Sequence, residues 1–174
     1  MSEIIVELSV ALIGIVGGAI LTLLTQRFIH KLRESHATLR DQLKYVFSPL
    51  EILSKINKLG FDRYFKDNTT QHDQEFIEKQ IWFPNHTEIK RILMEHSHLL
   101  DVVPPILIKL MEHIDVWLSE YELVYVKKEK NPPVLVGLSK GYKYPKSADD
   151  YIFNKSAELR RKLNRSGIGK KNKS

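Results

Sequence analysis

The chain opens with an apolar stretch that has no period. From Leu8 to Gln26, nineteen consecutive residues carry no charge, and only Glu3 and Glu7 ionise before them. At 1.5 Å per residue such a run makes about 28 Å of helix, the thickness of a bilayer's hydrocarbon core. A helix buried in a globular core keeps one polar face, whereas lipid demands an apolar surface all round. A secretory signal would carry Lys or Arg before its apolar run and a small-x-small cleavage site after it; neither is present, so the run reads as a retained transmembrane helix. Beyond it the pattern changes to amphipathic helix. Leu32, Leu39 and Val46 recur every seven residues, with Leu43 and Phe47 between them, as in a juxtamembrane coiled-coil seam.

Further along, apolar residues return at helical spacing between start and stop signals. In "SPLEILSKINKLG" Ser48 reads as an N-cap, Pro49 as the first helical residue, Glu51 as the partner in a capping box and Gly60 as the terminator. Lys66 to Gln74 is polar enough for a loop. Asn85 with Glu88 marks a second start, followed by Ile89, Ile92, Leu93 and His96 on one face. The longest amphipathic run follows Pro104 and Pro105 through Leu107, Leu110, Met111, Ile114, Leu118, Tyr121 and Tyr125. The piece "KNPPVLVGLSKGYKYPKS" has no such period and reads as an irregular loop or short strand. Ser147 and Asp150 then form a capping box for a last helix through Tyr151, Ile152, Leu159 and Leu163.

The pattern predicts an all-α chain: a transmembrane anchor over residues 1–26, a juxtamembrane helix over 27–47, a helical-bundle domain over 48–165 and a basic tail over 166–174. Charge orients it. Arg27, Lys31, Arg33 and Arg40 follow the apolar run and no Lys or Arg precedes it, so the positive-inside rule places the C-terminal bulk in the cytoplasm of a single-pass plasma-membrane protein. The formal net charge is +6. Residues 154–174 contribute +7 of it, which makes the basic character a property of the last helix and tail, available to anionic lipid or to nucleic acid.

Candidate chemistry is sparse. There is no cysteine, no Gly-x-Ser-x-Gly and no phosphate-cradling glycine loop. Glu95-x-x-His98 has the spacing of di-iron bundles without the second motif those require, and His96 and His98 point about 200° apart on a helix. His113 reads as a hydrogen-bonded histidine at the edge of its helix's apolar face. No metal, no cofactor and no enzymatic activity are expected. The segment with recognition character is Ser139 to Lys146, where Lys140, Lys143 and Lys146 alternate with Tyr142 and Tyr144: ammonium groups suit phosphates and tyrosine rings suit bases. Trp82 and Arg91 would complete such a site if folded nearby. In the apolar run, Gly14 and Gly18 form Gly-x-x-x-Gly, a spacing that lets two helices approach in lipid; with the Leu32, Leu39, Val46 seam it points to a homo-oligomer.

The anchor together with "LKYVFSPLEIL", "FIEKQIWFPNHTEIKRILMEHSHLL" and "GYKYPKSADDYIF" resembles bacterial membrane-anchored helical proteins, some of them from phage-defence operons with cyclic-nucleotide signalling. The resemblance implies an oligomeric inner-membrane effector or sensor that takes a nucleotide or protein signal. The alternative is a non-enzymatic tether or scaffold that recruits a cytoplasmic partner protein. A basic-aromatic pocket would favour the effector, and an exposed apolar helical face would favour the tether.

Overall fold

Pro49 and Pro84 each stand second in an α-helix that begins immediately after a widened, π-type turn. Proline lacks the N–H for an i→i−4 bond and its ring collides with the carbonyl four residues back, so an uninterrupted α-helix cannot pass through it unstrained. Bonds spanning five residues relieve both problems: the Ser48 N–H donates to the Leu43 carbonyl and the Phe83 N–H to that of Glu78. Ser48 is therefore no N-cap. Its backbone is already helical, with φ −67° and ψ −47°. Nor does Gly60 end its helix, which continues to Tyr64.

The computed structural model describes residues 2–66, 69–130 and 143–165, with side chains from Leu21 onward. Its α-helices are α1 (Ser2–Asp41), α2 (Ser48–Tyr64), α3 (Gln71–Ile77), α4 (Phe83–His96), α5 (Pro105–Tyr121) and α6 (Lys146–Arg165). Widened turns occupy Gln42–Phe47, Glu78–Trp82 and Glu122–Val126. Among the described residues there is no strand, so the fold is all-α. The first turn of α3 falls within the polar stretch read as a loop. Thr70 caps it, its hydroxyl accepting from the Asp73 N–H at 3.2 Å while the Asp73 carboxylate accepts from the Thr70 N–H at 3.2 Å.

The chain divides into two units, Met1–Leu39 and Arg40–Ser174. In the first, Leu21, Leu24, Phe28 and Leu32 are all exposed. Among the described residues no helix is long and apolar enough to cross a membrane; most of the Leu8 to Gln26 run, including Gly14 and Gly18, has side chains outside them. Lys140, Tyr142, the "VLVGL" piece and the basic tail over 166–174 also lie outside.

The second unit is a helical bundle. α2 packs on α4 and α6, and α5 packs on the same two helices from the opposite corner. The core is Val46 and Phe47 from the widened turn before α2, Leu50 from α2, Ile77, Ile89, Ile92 and Leu93 from α3 and α4, Leu107, Leu110 and Ile114 from α5, and Ala148, Ile152 and Leu159 from α6. Within each helix these residues fall on one face, because residues three and four apart share a face. Two polar bonds join distant segments: Ser156 donates to the Phe47 carbonyl at 3.1 Å, and Gln42 to that of Leu99 at 2.8 Å. Outside the core, Glu51 draws Lys55 and Arg160 to itself, each at 2.7 Å, and these cations hold its carboxyl down to about 2.

Candidate functional site

The residues expected to recognise a ligand are divided between the core and the surface. Tyr144 is partly buried and turned toward the bundle. Its hydroxyl donates to Asp149 Oδ1 at 2.7 Å, and its ring meets the edge of His113 at 5.3 Å. Burial, then the charge of Asp149, pushes the phenol far above its ordinary value. Burial also raises the Asp149 carboxyl, and the bond from Tyr144 only partly opposes this. The pair pins the approach to α6 on the bundle. Lys143 and Lys146, on either side of it, are exposed.

From Tyr144 a chain of rings crosses the interior. His113 lies 6.3 Å from His86, and His86 lies 4.6 Å from Trp117. Trp117 meets Trp82 edge-on at 6.4 Å, and Trp82 stacks on Tyr64 at 4.9 Å. A branch runs from Trp117 to Tyr121 and on to Phe83. The predicted residues Trp82 and Tyr144 are thus connected, but through packed rings. The sequence reading passed over His86, Trp117 and Tyr64. A signal was available: His113, Trp117, Tyr121 and Tyr125 recur every four residues, which places three rings along one side of α5 and a fourth in the widened turn that follows it.

Polar atoms run beside these rings. Asn85 donates to Asn57 Oδ1 at 2.8 Å, and the Trp82 indole N–H donates to the Asn57 carbonyl at 3.4 Å. His86 is 5% exposed, and burial, followed by repulsion from His113, pushes its imidazole down to about 3. The ring is neutral at physiological pH. Its Nδ1 and the Asn57 Nδ2 are buried without a hydrogen-bond partner. Closer to the surface, the Glu78 carboxylate accepts from Tyr64 at 2.9 Å and from Tyr125, while the Lys79 ammonium lies 4.5 Å above the Tyr125 ring. Burial is the first cause of the rise in both phenols, to about 12 for Tyr64 and higher for Tyr125.

Arg91 is held elsewhere. Its guanidinium pairs with Glu88 at 2.6 Å and with Glu95 on its other side, so its charge is already answered by two carboxylates. Among the described residues no group of His, Asp or Glu is arranged to hold a metal ion. The predicted seam also separates: Leu32 is exposed and Leu39 half-buried, whereas Val46 lies in the bundle's own core at 1% exposure. A different apolar face is open. Ile52, Ile56 and Leu59 lie on the outward side of α2, with Ile52 58% and Leu59 70% exposed.

Removing the Tyr144 hydroxyl tests whether the residue is structural. Tyr144→Phe withdraws the donor from a half-buried carboxylate and is expected to cost about 1–2 kcal/mol in urea unfolding. An unchanged midpoint would mean that the bond to Asp149 contributes nothing. No protein-family model, curated protein or solved structure matches the chain.

Proposed function

We propose that this chain is a single-pass membrane protein whose helical domain works by presenting a surface: a non-enzymatic tether or scaffold. The observation that carries the reading is the apolar face of α2, where Ile52, Ile56 and Leu59 are exposed on the side opposite Leu50, Ser54 and Asn57. Three large apolar side chains on one helical face cost solvation unless something covers them. The anchor is supported by the uncharged run from Leu8 to Gln26, and the cytoplasmic placement of the domain by the four basic residues that follow it. A reporter fused after Ser174 is expected to be active only in its cytoplasmic form, and the chain to stay in membranes washed with alkaline carbonate. Release by carbonate would end the anchor reading, and activity of a periplasm-dependent reporter would reverse the orientation.

The second reading is an oligomeric effector or sensor in a bacterial signalling or antiviral defence system, with a nucleotide as its signal. It has one observation in its favour: Lys143 and Lys146 are exposed beside Tyr144, leaving two ammonium groups at one place on the surface. On this reading, changing both lysines to Ala lowers nucleotide binding by the full-length chain in detergent, while Arg91→Ala leaves it unchanged. The reverse result would place any binding away from this segment.

A further inference from the structure

The chain has two tryptophans, and each leads through neighbouring rings to the same carboxylate. On one route Trp82 stacks on Tyr64 at 4.9 Å, and the Tyr64 hydroxyl donates to Glu78 Oε1 at 2.9 Å. On the other, Trp117 stacks on Tyr121 at 5.4 Å, Tyr121 lies 4.7 Å from Tyr125, and the Tyr125 hydroxyl donates to Glu78 Oε2. The two indoles meet edge-on at 6.4 Å, which joins the routes at their origin. Packing alone accounts for rings in contact. It does not require both routes to end in a phenol whose proton is already directed at one carboxylate.

We propose that this cluster is a radical-transfer site, at which a one-electron oxidant acting on the indoles draws its electron in the end from Tyr64 or Tyr125. An indole that loses an electron becomes a radical cation. At Trp82 the indole N–H donates to the amide carbonyl of Asn57 at 3.4 Å, too weak a base to take the proton. The charge therefore moves on: an electron passes from a phenol to the indole, and the phenol's proton passes along the existing hydrogen bond to Glu78. The products are a neutral phenoxyl, a carboxylic acid and a restored tryptophan. One electron has reached the oxidant, one proton has crossed from oxygen to oxygen, and the O–H bond of the phenol is the only one broken. A general base acts only within hydrogen-bond reach of the proton that it takes, and Glu78 has both phenols there. Tyr64 is the first donor. It stacks directly on Trp82, whereas Tyr125 is separated from Trp117 by Tyr121 and carries the Lys79 ammonium 4.5 Å above its ring, a charge that opposes loss of an electron. With no cysteine in the chain, no thiol intercepts the charge.

The test uses the full-length chain in detergent, with a photo-oxidised ruthenium polypyridyl complex as the one-electron oxidant and persulfate as the acceptor that generates it. Indole and phenoxyl radicals are followed by transient absorption and identified by electron paramagnetic resonance after freezing. The indole signal is expected to decay as a phenoxyl signal grows. In Tyr64→Phe with Tyr125→Phe, which keeps both rings, the indole signal is expected to last at least about tenfold longer. Glu78→Gln keeps an acceptor for the hydroxyls but removes the base, and slows the decay by a similar factor. Of the single changes, Tyr64→Phe slows it more than Tyr125→Phe. Near-ultraviolet circular dichroism checks in each variant that the tryptophans remain packed. If Glu78→Gln loses that packing, the wild-type decay in heavy water takes its place, because deuterium slows a step that moves the phenol's proton. A phenoxyl signal with no indole signal before it, a decay unchanged in the double phenylalanine variant, or a decay indifferent both to a folded Glu78→Gln and to deuterium would overturn the proposal.

Discussion

Lowering the pH from 7 to 4 is expected to cost the bundle about 3 kcal/mol of folding free energy through His86 alone. In the unfolded chain this imidazole takes up its proton near the ordinary value of 6.5, and in the fold only near 3. Between those values the unfolded state binds more protons, so the stability is complete above pH 6.5 and is lost progressively as the pH falls toward 3. The cause is physical enclosure: the ring is covered by Trp117 and faces His113, so a proton there has neither water nor a counter-ion. Asp149 works in the opposite sense, because its raised carboxyl favours proton uptake by the fold first. Glu51, held down to about 2, adds its own loss only below its ordinary value of 4.5. Urea melts between pH 7 and 4 should therefore show a steep decline in the wild type and a much shallower one in His86→Gln. Parallel slopes for the two proteins would refute the assignment to His86.

Gly60→Ala is expected to destabilise the bundle by about 1–3 kcal/mol even though alanine is the better helix former. A Cβ added at residue 60 would stand 3.0 Å from Trp82 Nε1 and 3.4 Å from Ile81 Cγ2. Helical propensity alone would favour the change by about 1 kcal/mol. Relief of the contact is blocked, because the indole is stacked on Tyr64, edge-on to Trp117 and bonded to the Asn57 carbonyl. Trp82 cannot withdraw without disturbing the ring chain. The measurement is the thermal midpoint together with near-ultraviolet circular dichroism, which reports the packing of the tryptophans. A midpoint that rises, with the aromatic signal intact, would show that the residue 60 face has room to spare.

The position of Gly60 explains one misreading of the sequence. A glycine after "SKINKL" has the form of a helix terminator, and nothing local distinguishes that use from a close approach by another helix. The difference lies in Trp82, more than twenty residues away in the chain. Pro49 misled in a related way. Proline second in a helix looks the same whether the helix begins there or a widened turn has carried it past.

The recognition segment divides similarly. Alternating lysine and tyrosine between Ser139 and Lys146 reads as a continuous polar-aromatic surface. Asp149, one turn into α6, takes the Tyr144 hydroxyl inward and His113 covers the ring, while Lys143 and Lys146 remain outside. Arg91 lost its availability to Glu88 and Glu95, three and four residues away on its own helix. That pairing was legible at i−3 and i+4 without any structure.

What the sequence determined by itself was set by periodicity. Apolar residues at three- and four-residue spacing fix which segments are helical, and they identified α5 with Leu107, Leu110 and Ile114 as a core element. An uncharged run of nineteen residues and the asymmetry of charge around it are likewise properties of the chain. The tertiary structure alone decided which polar groups were buried, because desolvation depends on neighbours distant in sequence. His86 is an unremarkable imidazole until α5 brings Trp117 and His113 against it. Tertiary packing also decided which apolar residues were left over: Ile52, Ile56 and Leu59 satisfy the helical pattern as well as Leu50 does. Only the placement of α4 and α6 on the other side of α2 leaves them facing out.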